Sequence, residues 1–221
     1  MTYSVLITGG SRGIGKATSE IFIKNGYDVK TPPRSELDLL SRESINRYIQ
    51  SQPEGFDIII NNAGLNEIHN IGELNISELD DMISVNLVAP YLITNGFIKK
   101  MIERGFGRIV NIASIWSIVS KPGRSVYSAT KRGIHGLSTT LALEYGQYGI
   151  LSNTVSPGFT LTDLTIKNNS PEEIEKISST IPIKRMANTE EIAKAIYFVG
   201  SAENTYITGQ NIVVDGGFSL Q

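Results

Sequence analysis

Short runs of consecutive apolar residues alternate along the chain with longer stretches in which apolar side chains recur every three or four positions. Runs of the first kind suit strands buried on both faces, and stretches of the second kind suit helices packed over them. Their alternation predicts an α/β fold, a parallel sheet with helices on both sides. Tyr3 to Thr8 reads as the first strand, and a glycine-rich turn leads into a helix from Gly13 to Asn25, ended by Gly26. Tyr27 to Thr31 makes a second strand, after which Pro32-Pro33 forbids both helix and ladder pairing. Ser41 caps a helix to Gln50, with Ser44 in the place of the capping-box glutamate. Asp57 to Ile60 is a buried strand running into Asn61-Asn62-Ala63-Gly64. A long helix is expected from Ser77, with Asp80 three residues on, to Arg104, kinked at Pro90. Arg108 to Ala113 is a strand, Val126 to Tyr148 a helix and Leu151 to Val155 a strand. The polar stretch from Thr160 to Thr180, with Asn168-Asn169-Ser170-Pro171, reads as a mobile flap carrying a short helix. The helix Thr189 to Val199 and the strand Asn211 to Val214 complete the pattern.

Composition narrows the classes. The sequence has 221 residues, 40% of them hydrophobic, with no repeat or linker, which predicts one domain over 1–221 with a substrate flap at about 159–185. A formal net charge of −2 without runs of like charge gives nucleic acid or an anionic membrane little to hold. Apolar runs such as Ile58-Ile59-Ile60 are too short to span a bilayer, and the N-terminus shows no signal-peptide pattern. Cysteine is absent, so thiol chemistry and disulfides are excluded, in agreement with a cytoplasmic location. The two histidines, His69 and His135, have no metal-ligand spacing, and no metal centre is expected.

Candidate chemistry begins at Thr8-Gly9-Gly10-Ser11-Arg12-Gly13-Ile14-Gly15, between the first strand and the first helix. Glycines there let the backbone turn sharply beside a pyrophosphate, and the helix N-terminus offers unpaired N–H groups. This is the Rossmann-type arrangement for a dinucleotide, whose adenosine ribose is read near the end of strand two. Arg34 stands 19 places after Gly15, and Arg12 lies in the loop itself. Two arginines facing a 2′-phosphate favour NADP over NAD, although Glu36 would reverse the inference if the loop shifted by two residues. Further on, Ser114 follows a strand and Tyr127 opens a helix, with Lys131 four residues later on the same face. A nearby ammonium is expected to lower the phenol's pKa, so that Tyr127 exchanges a proton with a carbonyl oxygen held by Ser114. Asn86 is expected to anchor a water that carries protons outward from Lys131.

With these residues in place the chain resembles the short-chain dehydrogenase/reductase family from Ser4 to the C-terminus. The likeness rests on the glycine loop, Asn62-Ala63-Gly64, Asn86, Ser114, Tyr127, Lys131, Pro157-Gly158 with Thr162, and Val214-Asp215-Gly216-Gly217. It implies a catalytic tetrad of Asn86, Ser114, Tyr127 and Lys131. It also implies that Gly9, Ser11, Gly13, Ile14, Gly15, Ala63 and Gly64 line the cofactor, that Asp38-Leu39 cups the adenine and that Asn62 lies against its ribose. Tyr127 and Lys131 would hold the nicotinamide ribose, with Pro157, Gly158, Thr160 and Thr162 near the carboxamide and phosphate. The long helices would pair between subunits into a homotetramer or homodimer. Ile181-Pro182-Ile183-Lys184-Arg185-Met186, followed by Glu190-Glu191-Ile192-Ala193, is similar to the 3-oxoacyl-[acyl-carrier-protein] reductase subgroup.

Two features depart from that pattern. Only three residues separate Arg34 from Asp38, too few for the crossover a further parallel strand needs. A sheet of six strands ending at strand two is therefore expected, and the shortened connection is similar to the deoxysugar-reductase branch of the extended family. Tyr148 also stands where carrier-protein reductases usually show a docking arginine, for which Arg104 and Arg132 are the available substitutes. Between Ser114 and Tyr127, Trp116 either walls the substrate pocket or packs at a subunit contact. Lys121 and Arg124 either meet a phosphate or carboxylate on the substrate or are simply solvated. His135 is expected at a helix–helix interface. The sequence thus predicts an NADP(H)-dependent carbonyl reductase, a 3-oxoacyl thioester being one substrate. A reductase of a nucleotide-linked or phosphorylated sugar is the alternative, and a non-catalytic NADP(H)-sensing protein is the alternative of another class.

Overall fold

The computed structural model describes residues 2–221, with Leu164 and Asn168 described by their backbones alone. Six parallel strands form the main sheet: β1 (Ser4–Ile7), β2 (Asp28–Lys30), β3 (Ile58–Asn61), β4 (Gly107–Ile112), β5 (Ile150–Pro157) and β8 (Asn211–Val214). Their order, β2-β1-β3-β4-β5-β8, reverses direction between β1 and β3. Such a switch point leaves a crevice beyond the carboxyl ends of the two strands. The strand expected to be missing is missing. Residues 31–41 form a turn anchored where Ser44 Oγ accepts from the Asp38 N–H at 3.0 Å, with Leu37 buried in the core.

Alternation along each strand divides the core. Val5, Ile7, Ile58, Ile60 and Val110 face helices α1 (Gly13–Lys24) and α8 (Thr189–Gly200), meeting Phe22, Ile192, Ile196 and Val199. Leu6, Ile59 and Ile109 face the opposite layer of α2 (Arg42–Gln50), α4 (Ala89–Arg104) and α5 (Ser125–Tyr145), meeting Ile45, Ile93, Phe97 and Met101. Cover on both sides suits a run of consecutive apolar residues, which explains the unbroken Ile58-Ile59-Ile60.

Helix α2 starts as expected, with Ser41 Oγ accepting from the Ser44 N–H at 3.2 Å. The helix expected from Ser77 to Arg104 differs in two respects. It starts one residue earlier, as α3 (Ile76–Ile83), because Glu78 reaches back to the Asn75 N–H at 3.2 Å. Pro90 does not simply kink it. The five residues Ser84–Val88 widen into a π-helical turn, closed by the Ala89 N–H on the Ser84 carbonyl. Proline has no N–H for the carbonyl four residues back, here that of Asn86, and its ring crowds that carbonyl; a wider turn relieves both. The expected end of α5 at Tyr148 also shortens, its last three residues, Gly146–Tyr148, tightening into a 3₁₀ turn.

The stretch expected as a flap with one short helix contains two, α6 (Asp163–Asn168) and α7 (Pro171–Thr180). A short strand β6 (Thr160–Leu161) precedes them and pairs in parallel with β7 (Ala187–Asn188), tying both ends of the excursion together. No helix is long and apolar enough to cross a membrane among the described residues.

Candidate active site

At the switch point the loop after β1 and the turn after β3 are bonded to each other. Thr8 Oγ1 accepts from the N–H groups of Asn62 and Ala63, both at 3.1 Å, and Asn62 Nδ2 donates to the carbonyls of Thr8 and Gly9 at 3.0 and 3.1 Å. Two glycines of the loop are fixed by this closeness. A Cβ on Gly15 would lie 2.3 Å from the Gly9 carbonyl oxygen, and Gly9 has a φ of +66° with Ala63 Cα 3.1 Å from where its Cβ would stand. At the N-cap of α1, Arg12 makes no side-chain cap, so the N–H groups of the first turn are left without a capping side chain.

That cleft is a cavity of about 440 Å³ lined by Gly9, Ser11, Arg12, Gly13, Ile14, Gly15, Asn62, Ala63, Gly64 and Thr162. An adjoining cavity of about 390 Å³ is lined by Arg34, Asp38 and Leu39, and shares Gly9, Ser11, Ala63 and Gly64 with the first. Glu36 lines neither. The Arg34 side chain is 74% exposed, with Nε 3.3 Å from Asp38 Oδ1.

A third cavity, about 630 Å³, continues from Ile14, Asn62 and Gly64 to Ser114, Tyr127, Lys131, Pro157, Gly158, Thr160 and Thr162. Ser114 lies two residues beyond β4 and is buried, its Oγ accepting from the Trp116 N–H at 3.3 Å. Lys131, one helical turn after Tyr127 on α5, is 3% exposed; its Nζ donates to the Ile112 carbonyl at 2.7 Å and stands 5.6 Å from the Tyr127 ring centre. Asn86 sits on the π-helical turn. A Cβ on Gly64 would meet Asn86 Oδ1 at 3.3 Å and Lys131 Nζ at 3.4 Å, so these two groups converge on the turn after β3.

Several expectations change here. Burial pushes the Tyr127 phenol above its ordinary value, and the hydrogen bond with Ser114 and the charge of Arg124 only oppose that rise. Lys131 was expected to lower it. Burial instead brings Lys131 itself down to about 8, while its ammonium is turned to a main-chain carbonyl. The Asn86 amide is engaged with protein: Oδ1 accepts from the Leu65 N–H at 2.8 Å, and Nδ2 donates to the Leu65 carbonyl at 2.8 Å and to Thr130 Oγ1 at 3.2 Å. Its side chain therefore pins the turn after β3. Thr162 caps α6, its hydroxyl accepting from the Thr165 N–H at 3.1 Å, and Thr160 donates to the Gly158 carbonyl at 3.1 Å. His135 Nδ1 lies 3.3 Å from Thr154 Oγ1 on β5.

Trp116 walls the third cavity, edge-on to Phe159 and Phe218 with ring centres 6.1 and 6.2 Å away. Asn66, Phe159 and Ile177, none of them singled out from the sequence, also line it, as does Met186, quoted there only for the subgroup likeness. The carrier-docking substitutes are both occupied. Arg104 pairs with Asp57 at 2.9 Å, and Arg132 donates to the carbonyls of Ser117 and Ile118.

Known proteins are similar to this chain over nearly its whole length. A family described as Enoyl-(Acyl carrier protein) reductase matches residues 35–219. The 3-oxoacyl-[acyl-carrier-protein] reductase FabG of Aquifex aeolicus (strain VF5) is 38% identical over 218 residues, 97% of this chain and 86% of its own length. Among solved structures, ElxO with NADP bound superposes with a TM-score of 0.93 at 31% identity, covering 100% of both chains. A 4-hydroxyisoleucine dehydrogenase complexed with NADH gives 0.92 at 28% identity, again covering 100% of both. With a family match over residues 35–219 and this likeness in sequence and fold over nearly the whole chain, the chain belongs to the short-chain dehydrogenase/reductase family of oxidoreductases, which act on CH–OH and C=O groups.

Proposed function

We propose that the protein is an NADP(H)-dependent carbonyl reductase in which Tyr127 is the proton donor. The observation that carries this reading is the convergence of Ser114, Tyr127 and Lys131 on one cavity continuous with the glycine-loop cleft. The cleft suits a dinucleotide. Its glycines leave space that a Cβ would fill, the uncapped first turn of α1, Gly13 to Gly15, lines it, and Arg12 and Arg34 stand on its two adjoining cavities. Arg34 and Arg12 would hold a 2′-phosphate, Asp38 and Leu39 the adenine, and Asn62 and Lys131 the riboses. When bound, NADPH supplies the hydride.

The chain's own groups supply the rest. Ser114 orients the substrate oxygen by a hydrogen bond. Tyr127, kept protonated at neutral pH by its raised pKa, donates to that oxygen as negative charge develops there. Lys131, with a pKa of about 8, exchanges protons readily near neutrality and can restore the phenol's proton. Asn86 acts as a positioning residue that holds Leu65 and Gly64 beside Lys131.

A 3-oxoacyl thioester is the first substrate class to test, given the FabG relatives. The stretch 159–185 serves as the substrate flap of a single unit over 1–221. We further propose a cytoplasmic enzyme and a homodimer or homotetramer formed through α4 and α5. The test is loss of NADPH absorbance with acetoacetyl thioesters and short ketones. Tyr127→Phe should lower kcat by about 10²- to 10⁴-fold while NADPH still binds by fluorescence titration. Unchanged turnover in that variant would reject the assignment.

A further inference from the structure

The wall of the third cavity beside Tyr127 carries two cations without a counter-charge. Lys121 and Arg124 both line it, with Lys121 Nζ 5.3 Å and Arg124 Cζ 5.9 Å from the Trp116 ring centre. Among the described residues neither forms an ion pair. Stacking on an indole face accounts for where the two side chains lie. It leaves a remainder. Arg124 donates from one terminal nitrogen to the Asn66 side-chain oxygen, but its Nε is buried with no partner. A buried donor left unpaired is costly, and the two neighbouring cations oppose each other's charge, as the lowered pKa of Lys121 reflects after burial. The edge formed by Nε and the remaining terminal nitrogen is the one that grips two oxygens of a carboxylate or phosphate in parallel bonds.

We propose that the substrate of this reductase bears an acidic group, carboxylate or phosphate, a few bonds from its carbonyl, and that Arg124 with Lys121 holds that group. The proposal rests on Tyr127 being the proton donor. Arg124 precedes Tyr127 by three residues at the start of α5, about one helical turn, with Cβ atoms of such pairs about 5–6 Å apart. Acid and reacting oxygen therefore belong to one compact molecule. In an acyl-carrier thioester the pantetheine phosphate lies at the far end of a long arm from the carbonyl and cannot occupy this place. Trp116, Phe159, Ile177 and Met186 supply the apolar walls for the intervening carbon skeleton.

The test compares charged and neutral partners in NADPH oxidation: 4-oxopentanoate against its methyl ester, and dihydroxyacetone phosphate against dihydroxyacetone. At least one charged compound should exceed its neutral partner about tenfold or more in kcat/KM, and the pair that does so identifies the acid. Arg124→Gln should collapse that ratio, chiefly through KM, and Lys121→Gln, on an exposed side chain, should reduce it by a smaller factor. A wild type that favours neither charged compound, or an Arg124→Gln enzyme that keeps the preference, overturns the proposal. Trp116 is the only tryptophan, so its fluorescence gives a readout without turnover. In the presence of NADP, butyrate or inorganic phosphate should give a saturable change that butyramide does not give and Arg124→Gln lacks. Turnover of the neutral ketones, abolished by Tyr127→Phe, upholds the reductase reading even if the charge preference fails. A fluorescence response to anions with no turnover of these four compounds, of acetoacetyl thioesters or of short ketones rejects the reductase reading and retains the anion site.

Discussion

Replacing Lys131 by methionine keeps an unbranched apolar stem of similar length and removes only the charge, so it isolates what burying that ammonium does. The side chain is 3% exposed and burial alone brings its pKa from 10.5 to about 8. The folded protein therefore releases this proton near pH 8 and the unfolded chain near 10.5. Between those values the unfolded state binds more protons, so the stability of the wild type rises with pH relative to Lys131→Met. At 1.36 kcal/mol per tenfold change in the proton equilibrium, the whole span is worth about 3 kcal/mol, and about 2 kcal/mol of it falls between about pH 7 and pH 9.5. For a chain of this size that is a relative gain in Tm of about 4–8 °C. The Ile112 hydrogen bond offsets the two curves from each other at pH 7 without changing where the slope lies. Tyr127 is present in both proteins, so its own titration cancels. Thermal unfolding of the cofactor-free wild type and Lys131→Met across that range is the assay. Parallel curves, or a gap that closes in the opposite sense, would refute the account of Lys131 as a buried, easily deprotonated ammonium.

Three further outcomes follow from the same geometry. Gly15→Ala places a methyl group 2.3 Å from the Gly9 carbonyl; it should raise the Kd for NADPH at least about tenfold and lower Tm, checked by fluorescence titration and calorimetry. Asn86→Asp keeps the acceptor for the Leu65 N–H but removes the donor to the Leu65 carbonyl, and should cost about 1–3 kcal/mol in urea unfolding. Arg34→Ala should weaken the preference for NADPH over NADH by only about three- to tenfold, because the guanidinium is exposed and already shared with Asp38. A larger change in that kcat/KM ratio from Glu36→Ala would reverse the assignment of the two residues.

The backbone plan was legible because it follows from local rules. Runs such as Ile58-Ile59-Ile60 mark strands covered on both sides, glycines mark the turn before α1, and three residues between Arg34 and Asp38 leave no length for another crossover. Ser114, Tyr127 and Lys131 could be found because two of them share a helical face. What escaped depended on competition between distant groups. Asn75 captured the start of α3, ahead of the expected start at Ser77, because Glu78 reaches back to the Asn75 N–H. Nothing in the order of residues says that the Asn86 amide will be consumed by Leu65, or that Lys131 will be desolvated enough to exert little pull on Tyr127. Phe159 and Met186 reach the same cavity from opposite ends of an excursion closed by only two paired residues on each side, a contact with no sequence period behind it.

Ending the sheet at β2 also bears on solubility. Losing a strand uncovers a new sheet margin, and an uncovered margin of free N–H and C=O groups invites the strands of other molecules. Here the margin is three residues long, bears exposed charges of opposite sign at Asp28 and Lys30, and is followed after one residue by Pro32-Pro33, which offer no N–H at all. A chain that has dispensed with one crossover has thus kept its new border unfit for intermolecular pairing.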